Sequence, residues 1–98
     1  MEKTKLTEPF RTDWINALRS GEYKQTRGEM VSITGGHCCL AVGCRVKGAT
    51  FEQLDGSLWP PIAFKLGLTE SEESELSILN DGKGKTFPEI ADYIEQNH

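Results

Sequence analysis

Apolar residues recur at helical spacing near the start of the chain. Phe10, Trp14, Ala17 and Leu18 fall at i, i+4, i+7 and i+8, which predicts an amphipathic helix with one buried face. Thr7 is placed to cap it, Pro9 suits its first turn, and Gly21 after Ser20 is a stop signal. The helical period then vanishes. Tyr23-Lys24-Gln25-Thr26 and Met30-Val31-Ser32-Ile33-Thr34 read as two short strands around the turn Arg27-Gly28-Glu29. A hairpin this small needs helices packed on it.

Residues 37–46 are apolar on nearly every side, so periodicity alone does not separate buried strand from buried helix. A buried helix entered from Gly35-Gly36 and ending near Lys47-Gly48 is the favoured reading. Gly43 inside it costs about 1 kcal/mol relative to Ala, which predicts a close backbone approach there. Ala49 to Trp59 reads as a loop with one short strand, broken at Asp55-Gly56. Trp59-Pro60-Pro61 opens a short helix over 62–66, closed by Gly67.

Two capping boxes follow. Thr69 with Glu72 starts a helix running to about Asn80, with Leu76 and Leu79 inward and Ile78 flanking. Glu70, Glu72, Glu73 and Glu75 crowd its start, where the helix dipole favours negative charge. Thr86 with Glu89 starts the last helix, which turns Phe87, Ile90, Ala91 and Ile94 inward with Tyr93 at the edge. The expected fold is α+β: a mainly helical single domain over 1–98, flexible over 1–6, with a small β-hairpin and a C-terminal α-hairpin.

Composition narrows the function more than the fold. The chain has 98 residues, a net charge of −4 and 37% hydrophobic residues. Its cations form no basic run, which argues against a nucleic-acid partner. No apolar stretch approaches the roughly 18 residues of a membrane span, and the polar N-terminus has no signal core. A cytoplasmic protein without membrane association is expected. Three cysteines, two of them adjacent, make a poor disulfide framework, so they read as reduced thiols or metal ligands.

Several stretches invite chemistry. Gly84-Lys85-Thr86 ends like a phosphate loop, but the opening glycine should sit at Leu79, and helices rather than a strand flank it. Asn80-Asp81-Gly82 lacks the alternating carboxylates of a calcium loop. The C-terminal helix pair has the helix–turn–helix order of a DNA-binding motif, yet its glutamates would repel phosphates. That acidic helix could instead mimic nucleic acid against a basic protein surface.

The richest stretch is His37-Cys38-Cys39-Leu40-Ala41-Val42-Gly43-Cys44. One segment rarely wraps a tetrahedral zinc by itself, and the only other histidine, His98, lies at the frayed end. Cys38 or Cys39 in the first turn of a helix would gain thiolate character from its dipole. Neither has an evident base, since His37 is adjacent in sequence and points elsewhere on a helix. Three cysteines acting as small core hydrophobes is the favoured reading.

The run Trp14-Ile15-Asn16-Ala17-Leu18-Arg19-Ser20-Gly21-Glu22-Tyr23-Lys24-Gln25 resembles the opening of a group of small proteins encoded by phages and prophages. That group continues with a C-C-L-G-V-x-C segment, matched by Cys38 to Cys44. It ends in a short L-P helix and an L-N-D-x-G-x-x-F-x-x-I-A-D-x-I-E run, matched by Trp59 to Leu68 and Leu76 to Glu95. Ala41 replaces a usual glycine, and Pro60-Pro61 replaces a single proline.

The resemblance implies a phage setting and brings no activity. The expected function is an accessory protein that acts by binding, without catalysis or cofactor. Its partner would be a host protein, a defence factor or a small ligand. A cysteine-dependent enzyme using Cys38 or Cys39, and a zinc-stabilised module, are the alternatives. The expected contact surface is Tyr23, Lys24, Gln25, His37, Lys83 and Lys85, and self-association stays open.

Overall fold

The computed structural model describes residues 6–56 and 62–98. The expectations for residues 1–5 and for Trp59-Pro60-Pro61 lie outside them. Helix α1 spans Phe10–Ser20 and buries Phe10, Trp14 and Leu18 of the expected face, with Ile15 buried in addition and Ala17 only partly so. Gly21 ends it at φ 79, a left-handed turn that favours glycine. Its start departs from expectation. Pro9 occupies the cap, and Thr7 contributes its carbonyl to Arg11 N–H at 3.0 Å rather than its hydroxyl. The Glu8 carboxylate does the capping, accepting from Thr12 N at 2.9 Å and Thr12 Oγ1 at 2.8 Å.

The expected β-hairpin does not form, and this overturns the α+β reading: the described residues hold six helices and no sheet. Segments 23–26 and 30–34 do not pair with each other. Both pair with the stretch around His37. His37 N donates to Lys24 O at 2.7 Å and Thr26 N to His37 O at 2.8 Å, while Cys38 N donates to Met30 O at 2.8 Å. The result is one parallel and one antiparallel bridge, Gln25 to His37 and Val31 to His37. The physical reason lies in the side chains. Segment 23–26 has only Tyr23 to bury, so it offers no apolar face to hold a hairpin register. Its backbone groups still need partners, and the chain entering the core at His37 supplies them.

Helix α2 (Cys39–Val46) is the centre of the molecule, with Cys39 through Cys44 all buried. It packs on α1 and on two of the later helices, those over 62–66 and 70–80. A Cβ on Gly43 would lie 3.0 Å from both Leu66 Cδ1 and Trp14 Cε2, so the close approach predicted there is real. Trp14 is locked in place as its Nε1–H donates to Cys39 O at 3.0 Å. The expected loop after Ala49 contains a helix instead, α3 (Phe51–Asp55). Thr50 and Gln53 form a full capping box there, a T-x-x-Q signal that sequence reading passed over.

Helix α4 spans Ile62–Leu66, and α5 spans Glu70–Asn80 with the Thr69–Glu72 capping box formed. Helix α6 spans Phe87–Asn97 with the Thr86–Glu89 box, and buries Phe87, Ile90, Ala91 and Ile94. Helices α5 and α6 do touch, but α6 packs chiefly on α1. Arg19 of α1 reaches Asp92 at 2.6 Å and Glu95 at 3.2 Å on that seam. Leu6, expected in a flexible tail, is buried, and its N–H donates to His98 O at 3.1 Å.

Candidate functional site

The cysteines occupy the start and middle of α2. None is in a disulfide and all three are buried. Cys38 is the N-cap residue, and its sulfur accepts from Ala41 N at 3.4 Å. That position would normally favour a thiolate. Burial outweighs it and raises the Cys38 thiol above its ordinary pKa, with the Ala41 and Leu40 amides opposing. Cys39 has no exposed surface, donates to Leu76 O at 3.5 Å, and is pushed well above its ordinary pKa, again chiefly by burial. At neutral pH both are thiols, and neither is poised as a nucleophile.

His37 is also buried, with its ring against the edges of Tyr23 at 5.2 Å and Phe51 at 5.9 Å. Neither ring nitrogen has a hydrogen-bond partner among the described residues. Burial lowers its pKa, and the positive charge of Arg45 lowers it further. The Gly35 backbone pulls weakly the other way, without reaching hydrogen-bond geometry. The imidazole is therefore neutral at pH 7. His98, expected to be mobile, is buried too, with Nδ1 3.4 Å from the Glu72 carboxylate. The histidines and cysteines do not converge. Among the described residues, no group of three His, Cys, Asp or Glu side chains is placed to hold a metal ion.

The residues expected to form a contact surface are partly assembled. Tyr23, Lys24 and His37 meet through the bridge and ring contacts above. Gln25 Nε2 donates to Lys85 O and to Asn80 Oδ1, each at 2.8 Å. Arg27 Nη2 donates to Gly84 O at 3.1 Å, so the 23–27 segment is stapled to the 83–85 loop. His37 contributes packing rather than surface, whereas Lys24, Lys83 and Lys85 are exposed.

Sequence reading missed the organiser of this arrangement, Asn80, which is fully buried. Its Oδ1 also accepts from Cys39 N at 3.2 Å, and its Nδ2 donates to Thr26 O at 2.9 Å and Asp81 Oδ1 at 2.7 Å. One amide thus joins the end of α5, the start of α2 and the 23–27 segment. The hint in the sequence is an asparagine at a position that continues the inward face of Glu72 and Leu76.

The other feature that sequence reading missed is a pair of grooves along α5. Residues 72, 76 and 80 face inward, leaving the opposite side of the helix bare. On one side, a groove of about 670 Å³ has Ile78, Leu79 and Tyr93 in its lining, with Glu70 and Glu75 and a single cation, Lys83. On the other, a groove of about 540 Å³ is lined by Met30, Cys38, Leu40, Ile62 and Ile78. Among the described residues, its charged lining residues are all carboxylates: Glu29, Glu73 and Asp81. Ser74 and Ile78 belong to both grooves, and Ile78 is 54% exposed. In the sequence, Glu73 read only as one of four glutamates at a helix start, and Asp81 as part of the following loop.

Comparison with known proteins gives one family. The chain belongs to a family defined by a domain of unknown function (DUF8296), whose model matches residues 6–59. Neither the curated proteins nor the solved structures give a match. No helix among the described residues is long and apolar enough to cross a membrane.

Proposed function

We propose that this member of the family acts by binding a protein partner, without turnover, and that the bare side of α5 is the contact surface. The observation that carries the reading is the half-exposed Ile78 standing between two grooves that share it. A large apolar side chain flanked by concave, partly apolar surface is what a partner can cover. Of the groups able to do covalent chemistry, Cys38 lines one groove, while Cys39 and His37 line neither. Burial holds Cys38 and Cys39 protonated and His37 neutral, which favours binding over thiol catalysis.

The resemblance to phage-encoded proteins makes a host protein the natural partner. The host cytoplasm is the natural setting, where three unbridged cysteines stay reduced. Paired affinity capture from bacterial lysate, with wild type and Ile78→Ser as baits, tests the reading. A partner held by wild type and lost by Ile78→Ser supports it. A partner held equally by both baits removes α5 from the contact.

A further inference from the structure

We infer that the groove between α5 and the 28–30 segment accepts a basic protein segment with an apolar anchor beside its cation. The inference rests on the proposed binding role and names the partner's chemistry. Its argument is charge complementarity over an apolar lining. Met30, Leu40 and Ile78 line the groove, while Glu29, Glu73 and Asp81 are its only charged members among the described residues. The three carboxylates come from different stretches: the loop before Met30, the first turns of α5, and the residue after α5. Glu73 and Asp81 line the groove from α5, and Glu29 lines it from the 28–30 segment, so the carboxylates come from both walls.

Asp81 is held in place, since its Oδ1 accepts from the buried Asn80 and its Oδ2 from Ser77 Oγ at 3.5 Å. The groove's sulfurs are also tied together, with Cys38 Sγ 3.6 Å from Met30 Sδ. A methionine in such a lining adapts to different apolar anchors. An acidic segment would meet like charge at all three positions, so the groove discriminates by repulsion as well as attraction.

The neighbouring groove does not share this character. It carries Lys83 opposite Glu70 and Glu75, so its charge is mixed. The preference for a basic segment is assigned to the Glu29–Asp81 side alone.

The test is selection from an mRNA-displayed random peptide library against the full chain. Enriched peptides are then synthesised and measured by fluorescence anisotropy. Ile78→Ser and the double variant Glu29→Gln/Glu73→Gln are compared with wild type after circular dichroism shows that they remain folded. Enriched peptides should pair Lys or Arg with an apolar residue. Losing two screened charge pairs predicts a weakening of about five- to tenfold in the double variant, and at least as large a loss in high salt, which screens all three carboxylates.

Peptides that depend on Ile78 but are neutral or acidic, and ignore the double variant, overturn the inference and leave the binding surface standing. Enriched peptides that ignore Ile78→Ser overturn both. A dimer seen by sedimentation and abolished in the double variant assigns the groove to a second copy of this chain and also overturns the inference.

Discussion

Replacing Asn80 by alanine should loosen the whole molecule. The amide is fully buried and makes four hydrogen bonds to three separate stretches of chain. Gln25 keeps its bond to Lys85 O after the loss, and the partly buried Asp81 can turn to water. Two groups fare worse. The Cys39 N–H sits at the buried start of α2, where no helical carbonyl is available to it. The Thr26 carbonyl is partly buried and loses its partner. A stranded buried group costs about 1–3 kcal/mol, so the expected destabilisation is about 2–4 kcal/mol, the carbonyl contributing less.

Urea unfolding followed by circular dichroism measures it. With a slope of about 1–1.5 kcal/mol/M, the midpoint should fall by about 1.3–4 M. Asn16→Ala, at an exposed position on α1, is the control and should move stability by no more than about 0.5 kcal/mol. Asn80→Asp sharpens the test, because it keeps the acceptor but turns a carboxylate towards Thr26 O and Asp81. It should be at least as destabilising while the new carboxyl is ionised and recover partly as pH falls, since burial beside Asp81 favours its protonation. An Asn80→Ala midpoint within the control's range would refute the reasoning, since the amide would then be dispensable.

Gly43→Ala should cost about 1–3 kcal/mol despite the better helix propensity of alanine, because the new Cβ meets a Trp14 ring fixed by its bond to Cys39 O. Thermal unfolding that shows a gain would sink that account. His37 is held below its ordinary pKa of 6.5 in the folded state, so only the unfolded chain takes up its proton first. Its contribution is therefore fully present above pH 6.5 and is lost as pH falls below that, and His37→Phe should flatten this part of the stability–pH curve. Cys38 and Cys39 should resist iodoacetamide in the native protein below pH 8 and react readily in urea. Quantitative native labelling of either, read by mass spectrometry, would reopen the thiol-enzyme reading.

Local signals set most of the helices in advance. The buried faces of α1 and α6, the Thr69 and Thr86 capping boxes and the stops at Gly21 and Gly67 all depend on residues within a few positions of one another. The burial of α2 was legible too, since a segment apolar on every side has no face to give to water. What the sequence could not show was where backbone groups without a local partner find one. The hairpin expected over 23–34 dissolved for that reason. His37 and Cys38 lie far enough along the chain that no periodicity links them to Lys24 and Met30, yet His37 N bonds Lys24 O and Cys38 N bonds Met30 O.

The same limit hid the roles of Asn80 and the α5 grooves. An asparagine's worth depends on which distant carbonyls and amides surround it. A groove exists only where separate elements leave a gap, and whether glutamates are solvated or flank a cleft depends on what packs beside their helix. Local chemistry determined the helices, whereas tertiary packing decided which polar groups were buried, which were paired and which surface was left open.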